Sequence, residues 1–150
     1  MTKVKHAILT GLTLASLAVA GAAFAQNQNV IDQRKKLLKE IDVGADDIED
    51  MLKGKKKFDL AYVQKALQTW TDHAGKLPAL FPDDSRIGKT RATPKVWEDK
   101  AKFNALFDTF GKDSAAAAKT VVDEASARAV MPKLFGDCKS CHDDFRAKKR

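Results

Sequence analysis

Between residues 31 and 52, apolar side chains return every seven positions, at Ile31, Leu38, Ala45 and Leu52, with Ile41 and Ile48 on the neighbouring row. The positions between them are mostly charged, so the spacing predicts an amphipathic helix with an a/d seam about three heptads long. Gly54 and the lysines after it stop this helix, and Asp59 offers an oxygen to cap the next. The second helix places Leu60, Val63, Leu67, Trp70, Ala74 and Leu77 on one face and ends at Pro78.

Residues 78–93 hold Pro78, Pro82, Gly88 and several Asp, Ser and Thr residues. They read as a long loop, of the kind that a ligand or cofactor ties down. Thr93-Pro94 then predicts an N-cap followed by proline at the first helical position. The third helix carries Val96, Trp97, Phe103, Leu106, Phe107 and Phe110 and runs on through Ala115–Ala118 despite Gly111. In the fourth, Met131, Leu134, Cys138, Cys141 and Phe145 alternate at heptad spacing, with Phe135 and His142 alongside; Pro132 either starts this helix or kinks it. No segment has the two-residue period of a strand. The expected fold is all-α, an antiparallel four-helix bundle.

The first 25 residues stand apart from that domain. Lys3, Lys5 and His6 precede an apolar stretch from Ala7 to Ala23, which closes on Ala23-Phe24-Ala25. A basic start, a short apolar run and a small-x-small end form an export signal, cleaved before Gln26, and place residues 26–150 in the periplasm. The stretch is too short and too interrupted by Gly11, Gly21 and polar residues for a retained anchor. The mature chain would carry 25 basic and 20 acidic residues, a net charge of +5 with both signs interspersed. That balance favours acidic partners or membrane surfaces through steering. It gives no case for nucleic acid, because the only basic blocks are Lys53–Lys57 and the last three residues.

Both cysteines lie in Cys138-Lys139-Ser140-Cys141-His142. Two thiols three apart on a helix face the same way. They can add to the two vinyl groups along one porphyrin edge, while the histidine after the second can bind iron from one side. One covalent haem c, held through Cys138 and Cys141 and ligated by His142, is therefore the expected cofactor. Arg146 is one turn from His142 and can sit beside the ligand, or serve as a solvated cation near the helix C-terminus. Two other uses of paired cysteines compete. A thiol–disulfide centre normally follows a strand in a βαβ unit, and a zinc site needs a fourth ligand where only His73 remains.

A single haem motif on the last helix of such a bundle resembles the cytochrome c′ family, the class II cytochromes c with their low-spin relatives. The resemblance spans the mature chain. It rests on Cys-x-x-Cys-His-x-x-Phe-Arg at residues 138–146, on Leu77-Pro78 with Phe81-Pro82, and on Ala92-Thr93-Pro94-Lys95-Val96-Trp97. It implies that the first helix covers the other haem face, with Arg34 reaching toward a propionate and Leu38 over the iron. Methionine at the position of Leu38 marks the low-spin relatives. Leucine has no lone pair to give, so the iron is expected to be five-coordinate and high-spin. Met51 lies 13 residues further on, about 20 Å along the helix, and Met131 and His73 are the other candidates for a second ligand.

The resemblance implies electron transfer with a redox partner protein, the basic Lys139, Lys148, Lys149 and Arg150 steering an acidic one. A module binding nitric oxide or carbon monoxide at the open iron position is the alternative, and a thiol–disulfide oxidoreductase the remote one. No side-chain arrangement near the motif supports enzymatic turnover. Family resemblance also implies a homodimer through the first two helices. There Asp42, Asp46, Asp47, Glu49 and Asp50 either pair with lysines of a second subunit or repel it.

Overall fold

A computed structural model of the chain describes the backbone of residues 9–148 and the side chains of residues 28–148. Among these residues the chain is helical, with no strand beyond one isolated bridge. Helix α1 spans Leu9–Leu52 and α2 Leu60–Lys76. A single helical turn, α3 (Lys95–Glu98), precedes α4 (Lys100–Thr120) and α5 (Glu124–Phe145). Helices α1, α2, α4 and α5 form the four-helix bundle. Residues 9–25 of the expected leader are helical and continue into the bundle part of α1, while the basic start at residues 1–8 lies outside the described residues. So do Lys149 and Arg150. Among the described residues no helix is long and apolar enough to cross a membrane.

Each turn of the bundle has a local cause. Gly54 takes φ 74°, a conformation that costs glycine nothing. The Gly54 amide then bonds the Met51 carbonyl and the Lys55 amide bonds that of Asp50, closing α1 with a Schellman motif. Asp59 caps α2 by accepting from the Tyr62 amide. Asp123 and Ser126 form a capping box at the start of α5. That helix therefore begins eight residues before Pro132, which lies inside it. The expected cap at Thr93 does not form: its hydroxyl donates to the Asp144 carbonyl instead. The chain breaks helix at Asp99, whose side chain caps α4.

The core is centred on Trp70, Leu67, Ile48, Met131 and Leu134, all essentially inaccessible to solvent. Gly111 lets α4 approach α2 closely, since a Cβ there would stand 3.1 Å from the Ala74 Cβ. Ile41 and Ile48 of α1 are buried as the pattern predicts, but Leu38, Ala45 and Leu52 are only half-buried. Leu38 and Ala45 line a cleft rather than the solid core. On the opposite side of α1, the acids pair within the chain: Asp47 with Lys56, Glu49 with Lys53 and Asp50 with Lys55.

Candidate functional site

The cleft has a volume of about 700 Å³, within the range of cofactor and ligand sites. One wall is α1, with Arg34, Leu38, Ile41 and Ala45; the facing wall is α5, with Phe135, Cys138, Cys141, His142, Phe145 and Arg146. Phe103, Phe107 and Phe110 of α4 line it from a third side. Edge-to-face contacts join Phe81 to Phe103, Phe103 to Phe107 and Phe103 to Phe145, with centroids 4.8, 5.1 and 5.2 Å apart. Such rings make a rigid apolar lining.

Cys138 and Cys141 are half-buried and unpaired, three positions apart on the cleft side of α5. Burial, with smaller contributions from the charges of Asp137 and Asp144, pushes their thiols up to about 11. Thiols held so far from ionisation lack the thiolate that disulfide exchange requires. His142 stands at the rim, with an Arg146 guanidinium nitrogen 3.0 Å from Nε2 and 3.2 Å from Nδ1. Burial, then the Arg146 charge, pushes the imidazole below its ordinary value, favouring the neutral form that binds metal.

The fourth side is the segment from Leu77 to Pro94, of which residues 78–93 read as a loop in the sequence. It contains two 3₁₀ turns, Leu77–Leu80 and Asp83–Arg86. Arg34 holds it from α1. One guanidinium nitrogen donates to the Ser85 hydroxyl (2.7 Å) and the Leu80 carbonyl (3.2 Å); the other donates to the Thr90 hydroxyl (2.9 Å) and the Ser85 carbonyl (3.1 Å). The same guanidinium lies 4.5 Å from the Phe81 ring centroid and 5.8 Å from that of Trp97. Arg34 is 1% exposed. Both terminal nitrogens donate to the loop, so Arg34 clamps the cleft wall that it also lines.

From Thr90 the wall continues to α5. Thr90 Oγ1 also accepts from the Ala92 amide, Ala92 bridges Arg146, and Arg91 and Ala147 exchange hydrogen bonds. Asp144 accepts from Lys95 (2.6 Å) and Lys102 (2.7 Å), and these two ammonium groups hold its carboxyl down to about 2. The Trp97 indole donates to the carbonyls of Phe81 and Pro82. Phe81, Pro82, Ala92, Lys95 and Trp97, which carried the resemblance outside α5, thus take part in these contacts.

Leu38 lies on the α1 wall, whereas Met51, Met131 and His73 are buried elsewhere. His73 Nε2 is 2.6 Å from Glu40. Among the described residues no cluster of three or more His, Cys, Asp or Glu could hold a metal ion. Two thiols and an imidazole on one face of an apolar, aromatic-lined cleft fit a covalently attached haem. Sequence reasoning missed Ser85, Thr90 and Asp137. Ser85 and Thr90 carry no mark in their spacing because Arg34 is remote in the chain, and Asp137 reads as an ordinary i,i+4 neighbour of Lys133.

A family model described as Cytochrome C′ matches residues 29–146. The chain belongs to the cytochrome c′ family. A cytochrome c′ of Rhodopseudomonas palustris (strain ATCC BAA-98 / CGA009) is 52% identical over 139 residues, covering 91% of this chain and 95% of the relative. A cytochrome c-556 of Agrobacterium fabrum is 32% identical over 142 residues, covering 94% and 95%. The solved structure of cytochrome c′ from Rhodopseudomonas palustris superposes with a TM-score of 0.77 at 53% identity, over 81% of this chain and 98% of that one. As a member of the cytochrome c′ family the chain is a c-type cytochrome, and its cofactor is a c-type haem.

Proposed function

We propose that this cytochrome is an exported, periplasmic electron carrier whose haem is attached through Cys138 and Cys141 and ligated by His142. When bound, the haem supplies the ferrous–ferric couple of one-electron transfer. The protein supplies the rest. Cys138 and Cys141 fix the cofactor in the cleft, and His142 offers a neutral imidazole nitrogen. Arg146 stands beside that imidazole and orients it. The phenylalanine lining excludes water, and Arg34 holds the loop that closes the cleft.

The observation that carries the coordination state is that Leu38, where the resemblance puts the methionine of the low-spin relatives, lines the cleft, and among the described residues no methionine does. It supports a five-coordinate, high-spin centre. The same apolar position favours a second reading, a module that takes up nitric oxide or carbon monoxide. Optical spectra of the matured protein, ferric and ferrous, with and without carbon monoxide, test both. A high-spin spectrum that shifts with the gas is expected. A low-spin spectrum indifferent to it would overturn the five-coordinate reading and leave electron transfer alone.

The raised thiols of Cys138 and Cys141 speak against a thiol–disulfide oxidoreductase, and nothing in the cleft favours enzymatic turnover by side chains. An acidic redox protein is the proposed partner, guided by the basic rim of the cleft. Lys139 contributes less to that rim than its position suggests, because Asp143 pairs with it. For a homodimer through α1 and α2, the pairing of Asp47, Glu49 and Asp50 within the chain weakens the repulsion expected between two acidic faces.

A further inference from the structure

We propose that Asp137 is a redox-linked proton acceptor, taking one proton from water when one electron enters the cleft and returning it on oxidation. This rests on the reading of the cleft as the haem site. Asp137 precedes Cys138 on α5 and lines the cleft. Its Oδ2 is shut off from solvent and receives no hydrogen bond among the described residues. A carboxylate so placed lacks the solvation that stabilises its charge, so protonation is the natural response to any further negative charge nearby.

The surrounding charges do not neutralise it. Asp113 faces it from α4 and holds Lys133 in a close ion pair, while Lys133 Nζ stays 3.8 Å from Asp137 Oδ2. One lysine thus serves two carboxylates and is committed to the other. From α1 the cleft receives Arg34, which is bonded to the loop, Lys35, and Asp42 with Lys39 3.9 Å from it; the loop adds Lys89 and Arg91. Further along α5 stand His142 and Arg146. Burial pushes the Asp137 carboxyl above its ordinary value, Lys133 opposes this, and Asp113 adds to the rise.

An electron arriving in the cleft is a like charge, and a like charge raises the proton affinity of a buried carboxylate. By linkage, a proton on Asp137 favours the reduced state by the same amount. The balance is simple. The electron comes from a one-electron donor, the proton comes from water, and one O–H bond forms on the Asp137 carboxyl. Asp113 is a positioning residue here, since its charge sets the pH at which Asp137 titrates.

The test is a spectroelectrochemical titration of the haem-loaded protein over the acid-to-neutral range, with Asp137→Asn and Asp113→Asn beside it. The wild-type potential should fall as pH rises through the titration of Asp137. In Asp137→Asn, whose amide imitates the neutral acid, that fall should vanish and the potential should stay near the wild-type acid limit. In Asp113→Asn the falling region should move to lower pH. An infrared redox-difference spectrum should show a protonated-carboxyl band appearing on reduction and missing in Asp137→Asn. An unchanged pH dependence in Asp137→Asn, or a carboxyl band that survives it, would assign the proton elsewhere and overturn the proposal. A matured protein without covalent haem would overturn the parent reading first, before any potential is measured.

Discussion

The two walls of the cleft are built on different terms. On α5, Cys138, Cys141, His142 and Arg146 sit at helical spacings of three and four, so a single helix brings them together. On α1, Arg34 makes its four hydrogen bonds to residues 46 to 56 positions away. The first wall needs only that residues 138–145 be helical, with Arg146 following directly as the helix ends. The second needs the whole loop from Leu77 to Pro94 to fold around one guanidinium. Groups that carry chemistry are encoded locally, and the enclosure that gives them a dry environment is encoded across the chain.

The α5 wall should fail all at once. With both Cys138→Ser and Cys141→Ser, no haem should remain with the polypeptide after denaturation, read by haem staining of a denaturing gel. The α1 wall should fail gradually instead. Arg34→Gln leaves Ser85 and the Leu80 carbonyl without a charged donor, where hydrogen bonds to charged groups are worth about 1.5–3 kcal/mol each. Because the loop can relax toward water, the expected loss is about 2–4 kcal/mol in guanidinium unfolding of the haem-loaded protein. Arg34→Lys should recover only part of it, since an ammonium cannot bond in two directions from one plane. A loss below about 0.5 kcal/mol, the scale of an ordinary surface change, would show that the loop stands without its clamp.

The same division explains what could be read from the sequence. The helices, their caps at Asp59 and the stop at Gly54 are local features, and they were legible. So was the haem motif. The third helix was legible as apolar periodicity, but its break at Asp99 was not. Thr93 looks like a cap until α5 arrives beside it and offers the Asp144 carbonyl. Leu38 reads as one more member of a seam, because periodicity distinguishes a face from its opposite but not a packed core from a cleft. Arg34 reads as basic, while the direction in which it points depends on Ser85 and Thr90, residues that carry no pattern of their own.

Leu38→Met would give the α1 wall a ligand. A thioether at the end of a flexible side chain can reach where leucine cannot donate. The ferrous spectrum should turn low-spin, and carbon monoxide affinity should fall by about tenfold or more, which requires only about 1.4 kcal/mol of competition from the new ligand. An unchanged spectrum would mean that Leu38 lines the cleft without facing the iron.

The smallest effect belongs to a contact remote from both walls, and it tests whether the bundle holds together independently of the cleft. Tyr62 of α2 donates to Asp47 of α1, and Asp47 also takes Lys56. Burial, reinforced by the Asp47 charge, pushes the Tyr62 phenol from 10.0 up to about 12. The native state therefore keeps a proton that the unfolded chain has lost. Its contribution to stability is complete below about pH 10, the ordinary phenol value, and disappears as pH rises through about 12. Tyr62→Phe should cost about 1 kcal/mol at neutral pH, the net worth of one such hydrogen bond. It should also remove this share of the alkaline loss, measured by urea unfolding at a series of pH values, and leave the haem spectrum untouched. A spectrum that changed with Tyr62 would mean that the α1–α2 contact and the cleft are coupled along α1, and that the two walls do not fail separately after all.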